Sequence, residues 1–141
     1  ERDPFEIMKM GSYFDTCLSL EGDDEALAAS VVVNALDINK QVVYGRRTDG
    51  AVVARKLIGA TAAGELAGYN TYASYNREGI AAALAELLAD YAHSCGLRLS
   101  DTATPEVLHE GYWYDDGNEP WGEFAESSEP GPEGEALDQL R

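Results

Sequence analysis

Residues 40–99 read KQVVYGRRTDGAVVARKLIGATAAGELAGYNTYASYNREGIAAALAELLADYAHSCGLRL, and this stretch decides the fold. Gln41–Arg47 and Ala51–Thr61 are rich in β-branched and apolar residues and read as strands. Thr48-Asp49-Gly50 joins them, and Asp-Gly supplies the positive φ angles that a tight hairpin needs. Ala63-Gly64 marks a second turn, after which Glu65–Ala73 completes an antiparallel three-strand meander. Gly45, Gly59 and Gly68 fall inside these strands, where glycine signals a bulge or a close backbone approach.

The period then changes. Asn76 stands at an N-cap position and Gly79 falls in the first turn of a helix. Ile80, Leu84, Leu87, Leu88, Tyr91 and Cys95 recur at helical spacing, which predicts a core-facing stripe with Cys95 buried in it. Gly96 ends the helix as a C′ glycine, and Leu97 and Leu99 alternate with Arg98 and Ser100 as a short strand. This order puts the start of a helix beside the edge of a small sheet. Helix starts suit phosphate-bearing ligands, because their first N–H groups are unpaired and the helix dipole favours negative charge.

Upstream, Phe14 and Cys17-Leu18-Ser19-Leu20 read as a first strand, and Glu21-Gly22-Asp23-Asp24 as a turn in which either aspartate caps a helix. Ala26–Asp37, with Leu27, Val31, Ala35 and then Ile38 at helical spacing, is that helix. Val31-Val32-Val33 opposes it and the alanines favour it. Downstream, Pro105 opens a short helix to about Glu110. The expectation is one α+β domain over residues 1–114, a central, mostly antiparallel sheet with a helix pair packed on it. Residues 115–141 form an acidic tail; Ser127–Gly134 has almost nothing to bury and reads as flexible.

Charge is distributed unevenly along the 141 residues, whose net value is −16. Residues 101–141 hold 12 acidic residues and one basic. Within residues 40–98 the sign reverses, since Lys40, Arg46, Arg47, Arg55, Lys56, Arg77 and Arg98 outnumber the acids. Such an overall charge excludes general affinity for nucleic acid or an anionic membrane, while the local surplus admits a small anionic ligand. Two cysteines far apart make no disulfide framework and point to reduced thiols in the cytoplasm. No apolar run approaches a membrane span, and no signal peptide is visible. The chain begins at Glu1 without Met and reads as a segment of a longer, bacterial-type protein.

The constellation with the most chemistry is Asn76-Arg77-Glu78-Gly79-Ile80-Ala81. Here the chain resembles the GNAT-type N-acetyltransferases, over roughly residues 40–112. Their acetyl-CoA site follows the same order of strand, Arg/Gln-x-x-Gly-x-Gly/Ala loop, helix and short strand. Gly79-Ile80-Ala81 matches the second half of that motif, and Tyr91–Gly96 is similar to the usual helix end. The Arg/Gln position falls on Asn76, with Arg77 one residue later. Leu108-His109-Glu110-Gly111-Tyr112 resembles the region of the family's general-acid tyrosine, with His109 standing at the tyrosine position. The resemblance implies an acetyl-CoA site at Asn76, Arg77, Gly79, Ile80 and Ala81. It also implies Tyr112 or His109 as the group that returns a proton to the departing thiolate. An ordinary helix start, with Gly79 serving close packing, is the competing reading of the same residues.

Three further groups invite a role. Cys17 with His93 or His109 has the makings of a thiol nucleophile and base, although a buried cysteine is mostly an inert packing residue. The run Tyr112–Trp121 mixes aromatics with carboxylates. Its spacing does not match a calcium loop, and no metal is expected. It suits either docking onto a basic, apolar groove of a protein partner or covering the chain's own sheet. The arginines around the Asp-Gly hairpin read as a cationic patch or as a solvated face, with Arg55 and Lys56 on opposite faces of their strand. Two functions follow. One is an acyl-CoA-binding, GNAT-like domain transferring acetyl to an amine. The other is a non-catalytic protein-interaction module that binds through its acidic aromatic tail or cationic hairpin.

Overall fold

The computed structural model describes residues 1–14, 16, 18–21, 25–100 and 105. Its elements are α1 (Pro4–Met8), α2 (Glu25–Leu36), β1 (Lys40–Arg46), β2 (Val52–Ala60), β3 (Glu65–Ala73), α3 (Arg77–Ser94) and β4 (Arg98–Ser100). The strands form one sheet in the order β1-β2-β3-β4. β1, β2 and β3 pair antiparallel, and β4 lies parallel to β3. A parallel neighbour cannot be reached by a tight turn, so the chain crosses over through α3 to make it. The protein is an α+β domain with a mostly antiparallel sheet.

The helices do not share a face of the sheet. Val42, Leu57 and Tyr69 point to one side and pack against Ile7, Met10, Leu18 and Val31, from α1, α2 and the segment between them. Ile58 and Leu66 point to the other side and pack against Leu88 and Ala92 of α3. Adjacent residues Leu57 and Ile58 thus enter separate cores, as the pleat requires. Covering both faces explains why β2 is apolar on both sides instead of alternating. The expected α+β fold, a mostly antiparallel sheet with helices packed on it, is what the structure has, with α1 and α2 on one side and α3 on the other.

One upstream expectation is revised. Leu18–Leu20 is bend and turn, not strand, while a helix forms earlier at Pro4–Met8. Asp3 caps it by accepting from the Phe5 amide at 2.9 Å, and Pro4 occupies the first helical position, where no N–H is needed. The next turn presses Gly11 against Leu18 so closely that a Cβ would sit 1.6 Å from the Leu18 carbonyl oxygen. Only glycine permits that approach.

The meander follows its sequence signals with one change of turn chemistry. Only Gly50 of the Asp-Gly pair has positive φ, at 88°. The Arg47 amide donates to Ala51 and the Gly50 amide donates back to Arg47, each at 2.9 Å. This is a three-residue loop closed by a left-handed glycine, so Asp49 need not adopt positive φ. The interior glycines act as expected. The register shifts beside Gly45, Pro105 lies against Gly59, and the Lys56 stem passes over Gly68. At the far end of α3, Gly96 at φ 71° lets the Leu97 amide donate to Ala92 and the Gly96 amide to His93, which closes a Schellman cap.

Charged residues are inlaid in the core between the sheet and α1 and α2. Lys40 and Asp37 form an ion pair with both side chains fully buried. Arg55 is also fully buried; its Nη2 donates to Thr16 Oγ1 at 2.9 Å and its guanidinium lies over the Tyr72 ring at 4.1 Å. Stacking on an aromatic face is available to arginine's planar, weakly hydrated cation in a way that lysine does not share. Tyr44 donates to the Glu6 carbonyl at 2.7 Å, which ties β1 to α1, and burial pushes its phenol well above the usual range. No helix among the described residues is long and apolar enough to cross a membrane. The proposed tail, residues 115–141, lies outside the described residues.

Candidate ligand-binding site at the start of α3

The site is built where β3 ends and α3 begins. Asn76 takes the left-handed conformation (φ 41°, ψ 51°), which turns the chain from strand to helix within one residue. Asparagine tolerates this conformation better than most residues. Its carbonyl accepts from the Ile80 amide at 3.0 Å and opens the helix, but its side chain makes no cap hydrogen bond. The expected N-cap is thus right in position and different in mechanism. The Asn76 amide group folds over Gly79 instead. A Cβ at position 79 would come within 2.4 Å of Asn76 Nδ2, so glycine is required for that arrangement.

The consequence is a bare helix start. The amides of Arg77, Glu78 and Gly79 have no hydrogen-bond partner among the described residues. Asn76, Arg77 and Gly79 are exposed, whereas Ile80 and Ala81 are half-buried toward the sheet. α3 runs 18 residues, so its aligned peptide dipoles give the start a full partial positive charge. Arg77 adds a cation in the first turn, and Glu78 beside it adds the opposite charge.

Among the described residues β3 and β4 pair Glu65 with Arg98, Leu66 with Leu99 and Ala67 with Ser100. β3 then continues to Ala73. Just beyond the paired part, the register against β2 shifts between Lys56 and Ile58, so Tyr69 and Asn70 together face Leu57. At this bulge Lys56 Nζ donates to Tyr69 O and also reaches Thr71 Oγ1 at 3.3 Å. Burial lowers the Lys56 pKa, because the ammonium loses water there.

The other expected groups fare differently. His109 and Tyr112, the expected proton donors, lie outside the described residues, and so do Cys17 and the aromatic run Tyr112–Trp121. His93 is exposed on α3, across the sheet from Thr16 and Leu18, the chain neighbours of Cys17. Cys95 is exposed at the end of α3, not buried in its stripe. The inward line runs through Leu84, Leu88 and Ala92 instead. The cationic residues around the hairpin do not converge: Lys40 and Arg55 are buried, Lys56 lies on the α3 side, and Arg46 and Arg47 are at the surface. There Arg46 lies 3.7 Å from Glu6 and over the Tyr44 ring, and Arg47 pairs with Asp49.

Sequence reasoning missed the buried Asp37–Lys40 pair and the stacked Arg55, because charged residues default to the surface. The usable signal was position. Lys40 falls on the same pleat face as Val42, and Arg55 on that of Leu57. No group of three His, Cys, Asp or Glu side chains is arranged to hold a metal among the described residues. Comparisons with protein-family models, curated proteins and solved structures find no match for this chain.

Proposed function

We propose that this domain binds an acyl-CoA through the start of α3 and transfers the acyl group to an amine. The observation that carries the reading is the row of three amides at Arg77, Glu78 and Gly79, without a hydrogen-bond partner among the described residues, at the head of an 18-residue helix. That helix connects two parallel neighbouring strands, β3 and β4. Backbone donors and a helix dipole converge there on the place where a diphosphate would sit. Arg77 adds charge-assisted contacts to it. The order of meander, loop, helix and parallel strand supports the GNAT-like reading.

In the transfer the amine nitrogen attacks the thioester carbonyl, the C–S bond breaks, and the sulfur leaves as thiolate. A carboxylate or ordered water takes the amine proton, and His109 or Tyr112 returns one to the sulfur. Thermal melting tests the binding step. Acetyl-CoA at tenfold its Kd stabilises by about 1.4 kcal/mol, a rise on the order of 5 °C in Tm. Gly79→Glu places a side chain against Asn76 and a negative charge at the helix start, and abolishes the rise. A flat melting curve with millimolar acetyl-CoA refutes the proposal.

A further inference from the structure

The chain has three lysines, Lys9, Lys40 and Lys56, and each has a different setting. Lys9 is exposed at the C-cap of α1, and its Nζ lies 2.6 Å from Glu6 Oε1. That carboxylate favours the ammonium form and raises its pKa. Lys40 is fully buried and locked against Asp37. Lys56 is half-buried, so part of it stays in contact with water. Its stem crosses β3 over Gly68, where an added Cβ would come within 2.8 Å of Lys56 Cε. The missing side chain at position 68 thus lets Nζ reach the bulge, where the Tyr69 carbonyl and Thr71 Oγ1 receive it.

The number of acceptors in that seat matters. An ammonium carries three N–H bonds and no lone pair, whereas a neutral amine carries two N–H bonds and one lone pair. Tyr69 O and Thr71 Oγ1 are two acceptors, both uncharged. They satisfy the neutral amine in full and leave an ammonium with its charge uncompensated. Among the described residues no charged side chain of the surrounding elements pairs with Lys56: not Arg46 on β1, Glu65 on β3, or Arg77, Glu78, Glu86 and Asp90 on α3. Burial alone lowers its pKa, in the direction the seat also favours.

We infer that Lys56 is the reactive amine of this chain, a modification site whose lone pair attacks the carbonyl carbon of small activated acyl donors, acyl phosphates and acyl thioesters. The N–C bond forms, and the C–O bond to phosphate or the C–S bond to thiolate breaks with its electron pair on the leaving group. The amine proton passes to water, and Nζ ends as an amide. This reactivity does not need the start of α3, because an acyl phosphate carries no CoA moiety.

The test incubates the full chain near neutral pH with acetyl phosphate and, separately, with acetyl-CoA. Acetylation of each lysine is followed by site-resolved mass spectrometry. Lys56 is expected to react about fivefold faster than Lys9, since each unit of lowered pKa frees about tenfold more neutral amine and part of that gain is lost to weaker basicity. Lys40 should stay unmodified. The rate at Lys56 should also rise at a lower pH than the rate at Lys9. In denaturing urea the two rates should converge, because the seat is gone. Gly68→Ala displaces only the far end of a flexible side chain, so the fold is kept, and it should return Lys56 to the rate and pH profile of Lys9. A preference for Lys56 with either donor supports the inference and names the donor class. A Lys56 rate at or below that of Lys9 with both donors, or a preference that survives urea or Gly68→Ala, overturns it.

Discussion

The two sides of the sheet are made by the same strands and yet are finished differently. Against α1 and α2 the strands present Lys40, Val42, Arg55 and Leu57, all fully or nearly fully buried, with charges neutralised or stacked. Against α3 they present Gln41, Val43, Lys56 and Ile58, of which only Ile58 is fully buried. One side is closed and electrostatically committed. The other is partly open, carries the candidate site at the start of α3, and tolerates a lysine that keeps some water. Where charges are locked in, substitution should be felt as instability. On the open side it should be felt in binding.

The strongest way to break this contrast is at the Asp37–Lys40 pair. Removing one partner strands a charge away from water, so Lys40→Met alone should cost about 3–5 kcal/mol in a denaturant titration. The double variant Asp37→Leu/Lys40→Met leaves no orphan and should recover most of that loss. A single variant within 1 kcal/mol of wild type (roughly the worth of an exposed pair) would show that the pair is solvated, and the closed side would lose its distinction. Gly11→Ala belongs to the same side. Its Cβ would overlap the Leu18 carbonyl, and we expect a loss of about 3 kcal/mol or more from the forced shift.

The part of this fold that could be read beforehand has simple physical grounds. β1 to β3 declare themselves through β-branched runs and turn glycines, and α3 through its spacing and Gly96. α1 hides because five residues are too few to show a period; its evidence is only Asp3 before Pro4. Cys95 misled because two lines of apolar residues, Leu84-Leu88-Ala92 and Leu87-Tyr91-Cys95, lie one helical step apart. Only packing reveals which one faces the sheet. At the candidate site, Gly79 and Asn76 were legible as a helix start. The left-handed turn at Asn76 was not, since asparagine is equally at home as an ordinary cap.

On the open side, Lys56 offers a measurement of pH dependence. Its folded pKa lies below the unfolded value, so between the two the unfolded chain binds more protons. Stability attributable to Lys56 therefore rises with pH across the alkaline range up to about 10.4, the ordinary lysine value. Below the folded pKa the desolvation penalty is fully present. Subtracting the Lys56→Met curve removes the opposite contributions of Tyr44 and Lys9. That difference should climb as pH increases, whereas a flat difference would mean the ammonium is fully hydrated. At neutral pH the variant trades the donor to Tyr69 O for relief of desolvation, and we expect a net change under about 1.5 kcal/mol.

The smallest expected effect completes the contrast. Cys95 is exposed at the C-cap of α3, and its backbone amide makes the cap's hydrogen bonds with no help from the sulfur. Cys95→Ser should therefore leave stability within about 0.5 kcal/mol, as for other surface positions. Had the thiol been packed among Leu84 and Leu88, the same change would bury an extra hydroxyl in an apolar layer and cost about 1–3 kcal/mol. Denaturant midpoints for wild type and Cys95→Ser separate these outcomes directly. A loss in the larger range would mean that the flank of α3 at Cys95 is covered, and the open side would lose its distinction from the closed one.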